Sequence, residues 1–286
     1  MTDVFSVQGL RYRYPKAQKE ALKGLDFQVR EGEIFGLLGP SGAGKSTTQK
    51  ILTKLLEDYK GSVTCFGEDL RKTGRAYYEQ IGVGFEMPVH FTKLTAMENL
   101  RFFQGFYKKT ADVEGMMKRV GLWDHRDVRV GEYSKGMKVR LNFVRAMLNA
   151  PRILFLDEVT NGLDPVNARI IKDMIAEFRA AGGTVFLTTH LMSDVEQLCD
   201  RVAFCVDGAL AEVSTPRELK LRYGTREVTL EYREDGNLTR RSFPMAGIGE
   251  NGDFLGILQG KELETIHSGE TSMEDIFIRV TGVKAV

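Results

Sequence analysis

The 286-residue chain has little of what marks membrane-spanning, secreted or disulfide-rich proteins. No stretch approaches about 18 uninterrupted apolar residues, and the first residues lack the apolar core of a signal peptide. The three cysteines, Cys65, Cys199 and Cys205, are odd in number and lack the paired CxxC spacing of zinc and redox sites. We therefore expect a chain that stays on the side of the membrane where it is made, with its cysteines buried as small hydrophobic residues in a reducing cytosol.

Net charge is also nearly absent, because 40 Lys and Arg residues balance 39 Asp and Glu residues to leave +1. No field of the whole chain would draw it to nucleic acid or to an anionic membrane, so any anion must be bound locally. With 42% hydrophobic residues and only 7 prolines, the composition excludes disordered and collagen-like chains. We expect a globular protein with no nucleic-acid partner.

Three apolar segments are each followed by an amphipathic one. The pairs are Ile34–Leu38 before Lys45–Leu56, Ile153–Leu156 before Val166–Phe178, and Thr184–Thr188 before Ser193–Cys199. Strands that are buried on both faces and joined by helices predict a mainly parallel α/β sheet. Two shorter extended segments, Val4–Val7 and Leu25–Val29, predict an antiparallel sheet at the start of the chain.

The remaining segments predict an insert, a closing hairpin and an appendage. Strand patterning stops over about residues 87–133, where Ala96–Tyr107 and Asp112–Val120 read as helices. The run from Arg201 to Val213 predicts a hairpin that turns at Asp207-Gly208. Period-two patterning then begins, with Val228, Leu230 and Tyr232 on one face of a strand, and Ser272–Val280 predicts a last helix. We therefore predict two domains, residues 1–223 and a small α+β appendage of residues 224–286.

The strongest motif fits the pattern GxxxxGK[ST] between a predicted strand and a predicted helix, which is the context that the pattern requires. Its residues are Gly39, Pro40, Ser41, Gly42, Ala43, Gly44, Lys45, Ser46 and Thr47. The glycines let the backbone turn tightly, so that N–H groups at the start of the helix converge on an anion. We interpret this segment as a phosphate-binding loop in which Lys45 reaches the β- and γ-phosphates of a nucleotide and Ser46 binds Mg²⁺. The alternative is a glycine-rich turn that ends in Lys-Ser by chance.

Two adjacent carboxylates end the apolar strand Ile153–Leu156. Asp157 and Glu158 therefore lie at the carboxyl end of a strand, where α/β sheets place their ligands. We expect Asp157 to hold Mg²⁺ through water and Glu158 to polarise a water that attacks the γ-phosphate. A strand that ends in a solvated acidic turn is the alternative.

The order of the motifs resembles that of the ATP-binding subunits of ABC transporters. That order is the phosphate loop, the helical insert, Tyr133-Ser134-Lys135-Gly136-Met137, the acidic strand, Asn161-Gly162-Leu163-Asp164, and His190 after a strand. The resemblance covers about Val4 to Pro216, and the segment before the acidic strand makes it specific, because other phosphate-loop proteins lack it. It implies a P-loop ATPase core and hydrolysis of ATP with Mg²⁺.

The resemblance assigns two further residues to the nucleotide. Tyr14 is similar to the aromatic residue that stacks on adenine, although Tyr12 lies on the same strand face and a core role for either ring stays open. His190 resembles the switch histidine that contacts the γ-phosphate and helps to orient Glu158. A lone histidine with a structural role is the alternative.

The resemblance also implies a second subunit. Ser134, Lys135, Gly136 and Met137 lie at the LSGGQ signature, whose hydroxyl and backbone amide bind the γ-phosphate held by the opposite subunit. A chain with one phosphate loop and one signature therefore implies a homodimer or heterodimer around two ATP molecules. Asp164 resembles the aspartate that links the two sites, and a turn-forming Asp before Pro165 is the alternative.

Two departures from the family pattern concern charge. Lys135 stands for a glycine of the signature, and its amine either adds positive charge near a phosphate or is simply solvated. Glu86 stands where the family usually has a glutamine that senses Mg²⁺ and the γ-phosphate. A carboxylate binds Mg²⁺ but repels a triphosphate, so hydrolysis could be slower or coupled differently.

The family resemblance implies a peripheral protein on the cytoplasmic face of the cell membrane, paired with separate transmembrane permease subunits. In the family the insert, which carries Phe91, Leu94, Met97, Phe102, Phe103, Phe106 and Tyr107, receives short helices of those subunits. A core role for most of these side chains is the alternative, and Arg126–Glu132 is a second candidate contact strip. The segment Glu274-Asp275-Ile276-Phe277 resembles the end of export-type subunits, which favours export of a drug, lipid or other amphipathic compound. An ATP-dependent switch with little hydrolysis and an ABC ATPase unconnected with transport are the alternatives.

Overall fold

The computed structural model describes residues 2–87, 89–234 and 236–283. The chain forms two compact units, Met1–Ser214 and Thr215–Val286, named here the N-terminal unit and the C-terminal unit. This division lies earlier than the boundary expected after residue 223. The reason is that the helix Pro216–Tyr223 packs against Met273–Thr281 within the C-terminal unit.

The N-terminal unit alternates strands and helices over most of its length. In chain order its elements are β1 (Asp3–Tyr12), β2 (Leu22–Arg30), β3 (Ile34–Leu38), α1 (Lys45–Leu52), β4 (Lys60–Cys65), β5 (Glu68–Asp69), α2 (Arg75–Tyr78), β6 (Ile81–Gly84), α3 (Ala96–Gln104), α4 (Val113–Arg119), α5 (Lys135–Ala146), β7 (Ile153–Asp157), α6 (Pro165–Ala180), β8 (Thr184–Thr189), α7 (Met192–Leu198), β9 (Arg201–Val206) and β10 (Ala209–Ser214). None of the helices in the described ranges is long and apolar enough to cross a membrane.

Two sheets organise this unit. One has the strand order β10-β9-β3-β8-β7-β6, with every pair parallel except β10 with β9. The loops that follow β3, β7 and β8 therefore leave the same edge of adjacent strands. The second sheet, of order β2-β1-β4-β5, is antiparallel. The predicted fold class, a parallel core with an antiparallel entry sheet, is confirmed.

Phenylalanine side chains fill the space between the two sheets. Phe5 and Phe27 come from the antiparallel sheet, whereas Phe35, Phe155 and Phe186 come from the parallel one. The Phe27 ring stacks on Phe35 with centroids 5.5 Å apart, and Phe5 meets Phe155 edge to face at 5.8 Å. Such ring pairs stabilise a core beyond the burial of their area, so the sheet edge that carries the loops rests on a close-packed layer.

The cysteines and the closing hairpin agree with the sequence analysis. All three cysteines are buried and free, and burial raises the pKa of Cys65 to about 12 and that of Cys205 to about 11. The hairpin between β9 and β10 turns at Asp207 and Gly208, with φ angles of 52° and 77°. Positive φ at both central residues is typical of the turn that matches strand twist.

The insert between β6 and β7 is helical, as predicted. Thr95 and Glu98 form a capping box at the start of α3, while α3 stops at Gln104 rather than at Tyr107. Trp123 lies in a short 3₁₀ turn after α4, with the Arg126 guanidinium 4.5 Å from the centre of its ring. The insert is therefore a small, locally capped substructure.

The C-terminal unit has an antiparallel sheet of order β12-β11-β13. Its elements are α8 (Pro216–Tyr223), β11 (Arg226–Glu234), β12 (Asn237–Pro244), α9 (Gly252–Gly260), β13 (Glu262–Glu270) and α10 (Met273–Thr281). Val228, Leu230 and Tyr232 form a core with Phe243 and Ile257, which confirms the predicted period of two.

Candidate functional site

The phosphate loop joins β3 to α1 by a path that requires glycine. A Cβ atom on Gly39 would lie 2.0 Å from the backbone oxygen of Cys205, a distance that no side chain tolerates. Gly42 and Gly44 have φ angles of 81° and 109°, in the left-handed region that favours glycine. The loop therefore packs against β9 and wraps closely around the start of α1.

Lys45 is the first residue of α1, and its side chain folds back over the loop. Its Nζ atom donates to the backbone oxygens of Gly39 and Pro40 at 2.7 and 3.1 Å, although the residue is only 8% exposed. A buried ammonium requires such partners because an unpaired charge in the interior is costly. The charge is thus held at the centre of the loop.

Ser46 and Asp157 meet across the edge of the sheet. The Ser46 hydroxyl donates to Asp157 Oδ2 at 3.1 Å, and the Thr188 hydroxyl donates to Asp157 Oδ1. Thr188 is also 3.0 Å from Gln49 Oε1. Thr188 and Gln49 were not predicted from the sequence, although a threonine pair before His190 at the end of an apolar strand was a usable signal.

Glu158 and His190 form a direct pair beside Asp157. Glu158 Oε1 lies 2.7 Å from His190 Nδ1, and the Thr189 hydroxyl donates to Glu158 Oε2 at 3.3 Å. Glu158 has a φ angle of 51°, which is unusual for a residue with a side chain. Backbone strain of this kind persists only where the surroundings fix it, and it is frequent at functional sites.

The two candidate tyrosines differ in environment. Tyr14 lines the cleft beside the phosphate loop, and its hydroxyl is 3.1 Å from Thr47 Oγ1. Tyr12 is buried in the core, where its ring meets that of Tyr14 edge to face with centroids 4.9 Å apart. Of the two rings, only that of Tyr14 faces the cleft.

Most of the predicted nucleotide residues line one cleft of about 370 Å³. Its lining residues are Tyr14, Ala21, Ser41, Gly42, Gly44, Lys45, Ser46, Thr47, Glu86, Asp157, Glu158 and His190. Gly39, Pro40 and Ala43 belong to the loop but are not among the residues that line the cleft. The cleft thus combines a cation, hydroxyl groups and carboxylates at the carboxyl edge of the sheet.

The signature residues lie elsewhere. Ser134 caps α5 by accepting a hydrogen bond from the backbone N–H of Met137 at 3.2 Å, so that Lys135 and Gly136 lie in the first turn of the helix. The helix begins at this position because Ser134 is a good N-cap residue.

Lys135 is exposed, and its side chain extends over the neighbouring loop. A Cβ atom on Gly162 would lie 2.9 Å from Lys135 Cε and 3.1 Å from Nζ. Lys135 also lines a second cleft, of about 500 Å³, together with Glu86 and Asn161. Asp164 caps α6, and hydrogen bonds from Asn167 hold the pKa of its carboxyl group below the usual range.

Comparisons with known proteins agree with this geometry. Residues 22–161 match the ABC transporter family, and residues 226–270 match the fluoroquinolone efflux ABC transporter C-terminal domain. The chain is 52% identical to the fluoroquinolones export ATP-binding protein of Mycobacterium tuberculosis (strain ATCC 25618 / H37Rv) over 98% of this chain and 94% of that protein.

Solved structures show the same fold. An ATP-binding subunit of an ABC transporter has a TM-score of 0.71 at 27% identity, covering 77% of this chain and 93% of that one. A dimeric ATP-binding cassette bound to ADP and Pi has a TM-score of 0.67 at 23% identity, covering 74% of this chain and 98% of that one. The chain therefore belongs to the ABC transporter family, as one of its ATP-binding, ATP-hydrolysing subunits.

Proposed function

We propose that this subunit closes with a second ATP-binding subunit around two ATP molecules, and that hydrolysis drives export of an amphipathic compound through separate membrane subunits. The observation that carries the proposal is the Glu158–His190 pair, 2.7 Å apart, in the same cleft as Lys45 and the bonded Ser46 and Asp157. This arrangement supports the roles proposed for Glu158 as the base, His190 as its orienting group and Lys45 as the phosphate-binding cation.

Glu158 is the proposed general base. Its carboxylate orients a water molecule and accepts a proton from it as the water oxygen bonds to the γ-phosphorus. The bond from that phosphorus to the bridging oxygen breaks, and ADP leaves with the electron pair. With both ring nitrogens protonated, His190 donates through Nδ1–H to Glu158, which keeps the carboxylate directed into the cleft, and through Nε2–H to an oxygen of the γ-phosphate.

Lys45 and the loop amides are the proposed phosphate ligands. Phosphate oxygens would replace the carbonyl oxygens of Gly39 and Pro40 as acceptors for the Lys45 ammonium. Charge-assisted bonds of this kind are about twice as strong as bonds between neutral groups. ATP therefore offers Lys45 better partners than the loop does.

The residues present also fit Mg²⁺. Ser46 and Asp157 supply adjacent hydroxyl and carboxylate oxygens, the donors that this hard cation prefers, and Glu86 adds a carboxylate to the same cleft. Within the described ranges, no group of three or more His, Cys, Asp or Glu side chains could hold a metal alone. We assign the ion to Ser46 and Asp157, with Glu86 nearby. When bound, Mg²⁺ neutralises phosphate charge.

Tyr14 is the proposed adenine-stacking residue, because its ring faces the cleft while Tyr12 is enclosed by the core. Ser134, Lys135, Gly136 and Met137 are proposed to bind the γ-phosphate of the second subunit. What supports this is that none of these four lines the cleft of its own chain, although Ser134 caps a helix whose N-terminal amides suit an anion. Asp164 is proposed to face the partner as well.

The membrane subunits are proposed to dock on the insert at the cytoplasmic face of the membrane. Phe91, Phe102 and Phe106 form ring contacts with one another or with Phe103, yet they are 46%, 47% and 54% exposed. Met87 and Val89 add further exposed apolar surface nearby in sequence. An exposed aromatic cluster suits the apolar face of a short helix.

The proposed cargo is a drug-like amphipathic compound. The support is the relative named for fluoroquinolone export together with the match of residues 226–270 to a C-terminal domain of fluoroquinolone efflux transporters. Uptake of labelled fluoroquinolone into inside-out vesicles that contain the chain and its membrane subunits tests this cargo. Vesicles that carry Glu158→Gln are the control.

The ATPase assignment of Glu158 is tested by the rate of hydrolysis per subunit at increasing concentrations of purified protein. We expect the rate to rise with concentration, because a second subunit completes each site, and Glu158→Gln to lower turnover by about 10²-fold or more while ATP still binds. Glu227→Gln in the C-terminal unit is the matched control and should behave as wild type. Wild-type turnover by Glu158→Gln would refute the role of this residue.

A further inference from the structure

A buried polar network joins the chain segments that follow Glu158 and His190. Its members are Thr160, Lys172 and Asp194, which come from the loop after β7, from α6 and from α7. Thr160 and Asp194 are 6% and 4% exposed, and the Lys172 side chain is 16% exposed. Charged residues are rarely buried to this extent unless they are paired.

Each oxygen of the Asp194 carboxylate has its own partner. Lys172 Nζ lies 2.6 Å from Asp194 Oδ1 and also donates to Gln197 Oε1 at 2.9 Å. The Thr160 hydroxyl donates to Asp194 Oδ2. Removing one partner from such a network leaves a buried charge or donor unsatisfied, so its geometry is tightly determined.

The network connects the two segments that carry the reacting pair. Thr160 shares a tight turn with Glu158, whose backbone oxygen accepts from the N–H of Asn161 at 3.0 Å. Asp194 lies in the first turn after His190, where its N–H donates to the backbone oxygen of Leu191 at 3.1 Å. A shift of Asp194 relative to Thr160 would therefore change the separation of Glu158 from His190.

We infer that Asp194 and Thr160, with Lys172, are positioning residues that hold Glu158 and His190 at their bonding distance. The inference rests on the proposed roles of Glu158 and His190, and it concerns residues that do not line the cleft. The strained backbone of Glu158 requires an outside constraint of this kind, since its φ angle of 51° is unfavourable by itself. ATP binding does not require the network, because Lys45 and the loop are anchored separately.

The test is single-turnover hydrolysis of labelled ATP by excess full-length protein, measured at several protein concentrations. Thr160→Val replaces the hydroxyl with a methyl group of similar size and should lower the maximal rate by about 10- to 100-fold, since small misplacements of a catalytic group have effects of this size. The half-saturating concentration should change by less than about twofold. Thr160→Ser restores the hydroxyl and should restore the rate.

Thr229→Val is the matched control, because Thr229 is also buried and its hydroxyl bonds a side chain, Ser242, at 2.8 Å in the C-terminal unit. It should leave the rate unchanged. Wild-type rates in Thr160→Val, or equal slowing by Thr160→Ser, would overturn the inference. If Thr160→Val fails to fold, Asp194→Asn provides the same comparison, because it keeps the shape of the side chain and removes its charge.

Glu158→Gln separates this inference from the proposed function. If Glu158→Gln is inactive while Thr160→Val is normal, the network is not a positioning device but the role of Glu158 stands. If Glu158→Gln retains full turnover, the proposed function fails and the inference falls with it.

Discussion

The N-terminal and C-terminal units use their strands differently. All five residues of β7 are buried, and the strand ends at Asp157. By contrast, β11 buries Val228, Leu230 and Tyr232 on one face and carries polar residues such as Arg233 on the other. A strand buried on both faces sends its polar residues to its end, where they gather with those of neighbouring strands. An antiparallel strand spreads polar residues along its length. Candidate catalytic residues are therefore predictable from the sequence of the first unit and not from that of the second.

Individual glycines differ in the space around them. A Cβ atom on Gly39 or Gly82 would lie within 2.0 Å of a backbone oxygen, at Cys205 or Ala146. In the C-terminal unit a Cβ atom on Gly252 or Gly256 would meet no atom within 4 Å. Glycine is thus required by close packing at the first pair and is unconstrained by space at the second.

The largest expected effect is a loss of ATP affinity when a residue of the N-terminal unit, Lys45, is replaced. Lys45→Ala should weaken ATP binding by about 10²-fold or more, because hydrogen bonds to charged groups contribute about 1.5–3 kcal/mol each. Equilibrium binding of a fluorescent ATP analogue measures this change. Lys50→Ala, an exposed position on the same helix, is the control. Equal affinity of Lys45→Ala and wild type would contradict the phosphate-loop assignment.

The next largest effect is on the stability of the C-terminal unit and should leave the activity of the N-terminal unit unchanged. Leu230 is fully buried, so Leu230→Ala should destabilise the C-terminal unit by about 2–5 kcal/mol in urea unfolding. ATP turnover should stay at the wild-type level, because the nucleotide cleft is built from the N-terminal unit alone. Leu238→Ala, on the same sheet but 62% exposed, should change neither quantity. A loss of turnover in Leu230→Ala would break the separation of the two units.

A smaller effect concerns the base of the nucleotide. Tyr14→Ala should weaken ATP binding by about 1–3 kcal/mol, the contribution of one stacked base. Tyr14→Phe keeps the ring and loses only the contact with Thr47, so it should bind ATP within about threefold of wild type. Titration calorimetry distinguishes the two variants. Equal weakening by both would mean that the hydroxyl, rather than the ring, is the important group.

The smallest expected effect is a gain in stability rather than a loss. Gly256 lies inside α9 with open space around it, so Gly256→Ala should raise the free energy of unfolding by about 0.5–1 kcal/mol. Gly82→Ala in the N-terminal unit should be destabilising, because its Cβ would lie 1.9 Å from the backbone oxygen of Ala146. Thermal unfolding of the two variants sharpens the comparison. A destabilised Gly256→Ala would show that position 256 is constrained after all.

The sequence predicted the elements whose signals are local. β3, β7 and β8 were recognised because each is a continuous apolar run, and the phosphate loop because its spacing is fixed by backbone geometry. Helix ends were less accurate: α1 ends at Leu52 rather than Leu56, since Lys54 adopts a φ angle of 58°. A left-handed residue of this type gives no clear signal in the sequence.

The long-range polar contacts could not be predicted. Thr160, Lys172 and Asp194 come together from three elements, and no spacing rule relates them. The position of Lys135 across Gly162 was equally hidden, since the sequence analysis left its amine either near a phosphate or in solvent. Such contacts depend on how α5, α6 and α7 are placed by the sheet, which a single sequence does not specify.

Trp123, which lies beneath the Arg126 guanidinium in the insert, is the one tryptophan of the chain. The intrinsic fluorescence of this residue therefore reports on the insert alone, without labelling. The Arg126 guanidinium lies 4.5 Å from the centre of the indole ring, so its displacement changes the electric field at the ring and therefore the emission of Trp123. With excitation at a wavelength that tryptophan absorbs and tyrosine does not, emission recorded during nucleotide addition would follow changes in the insert.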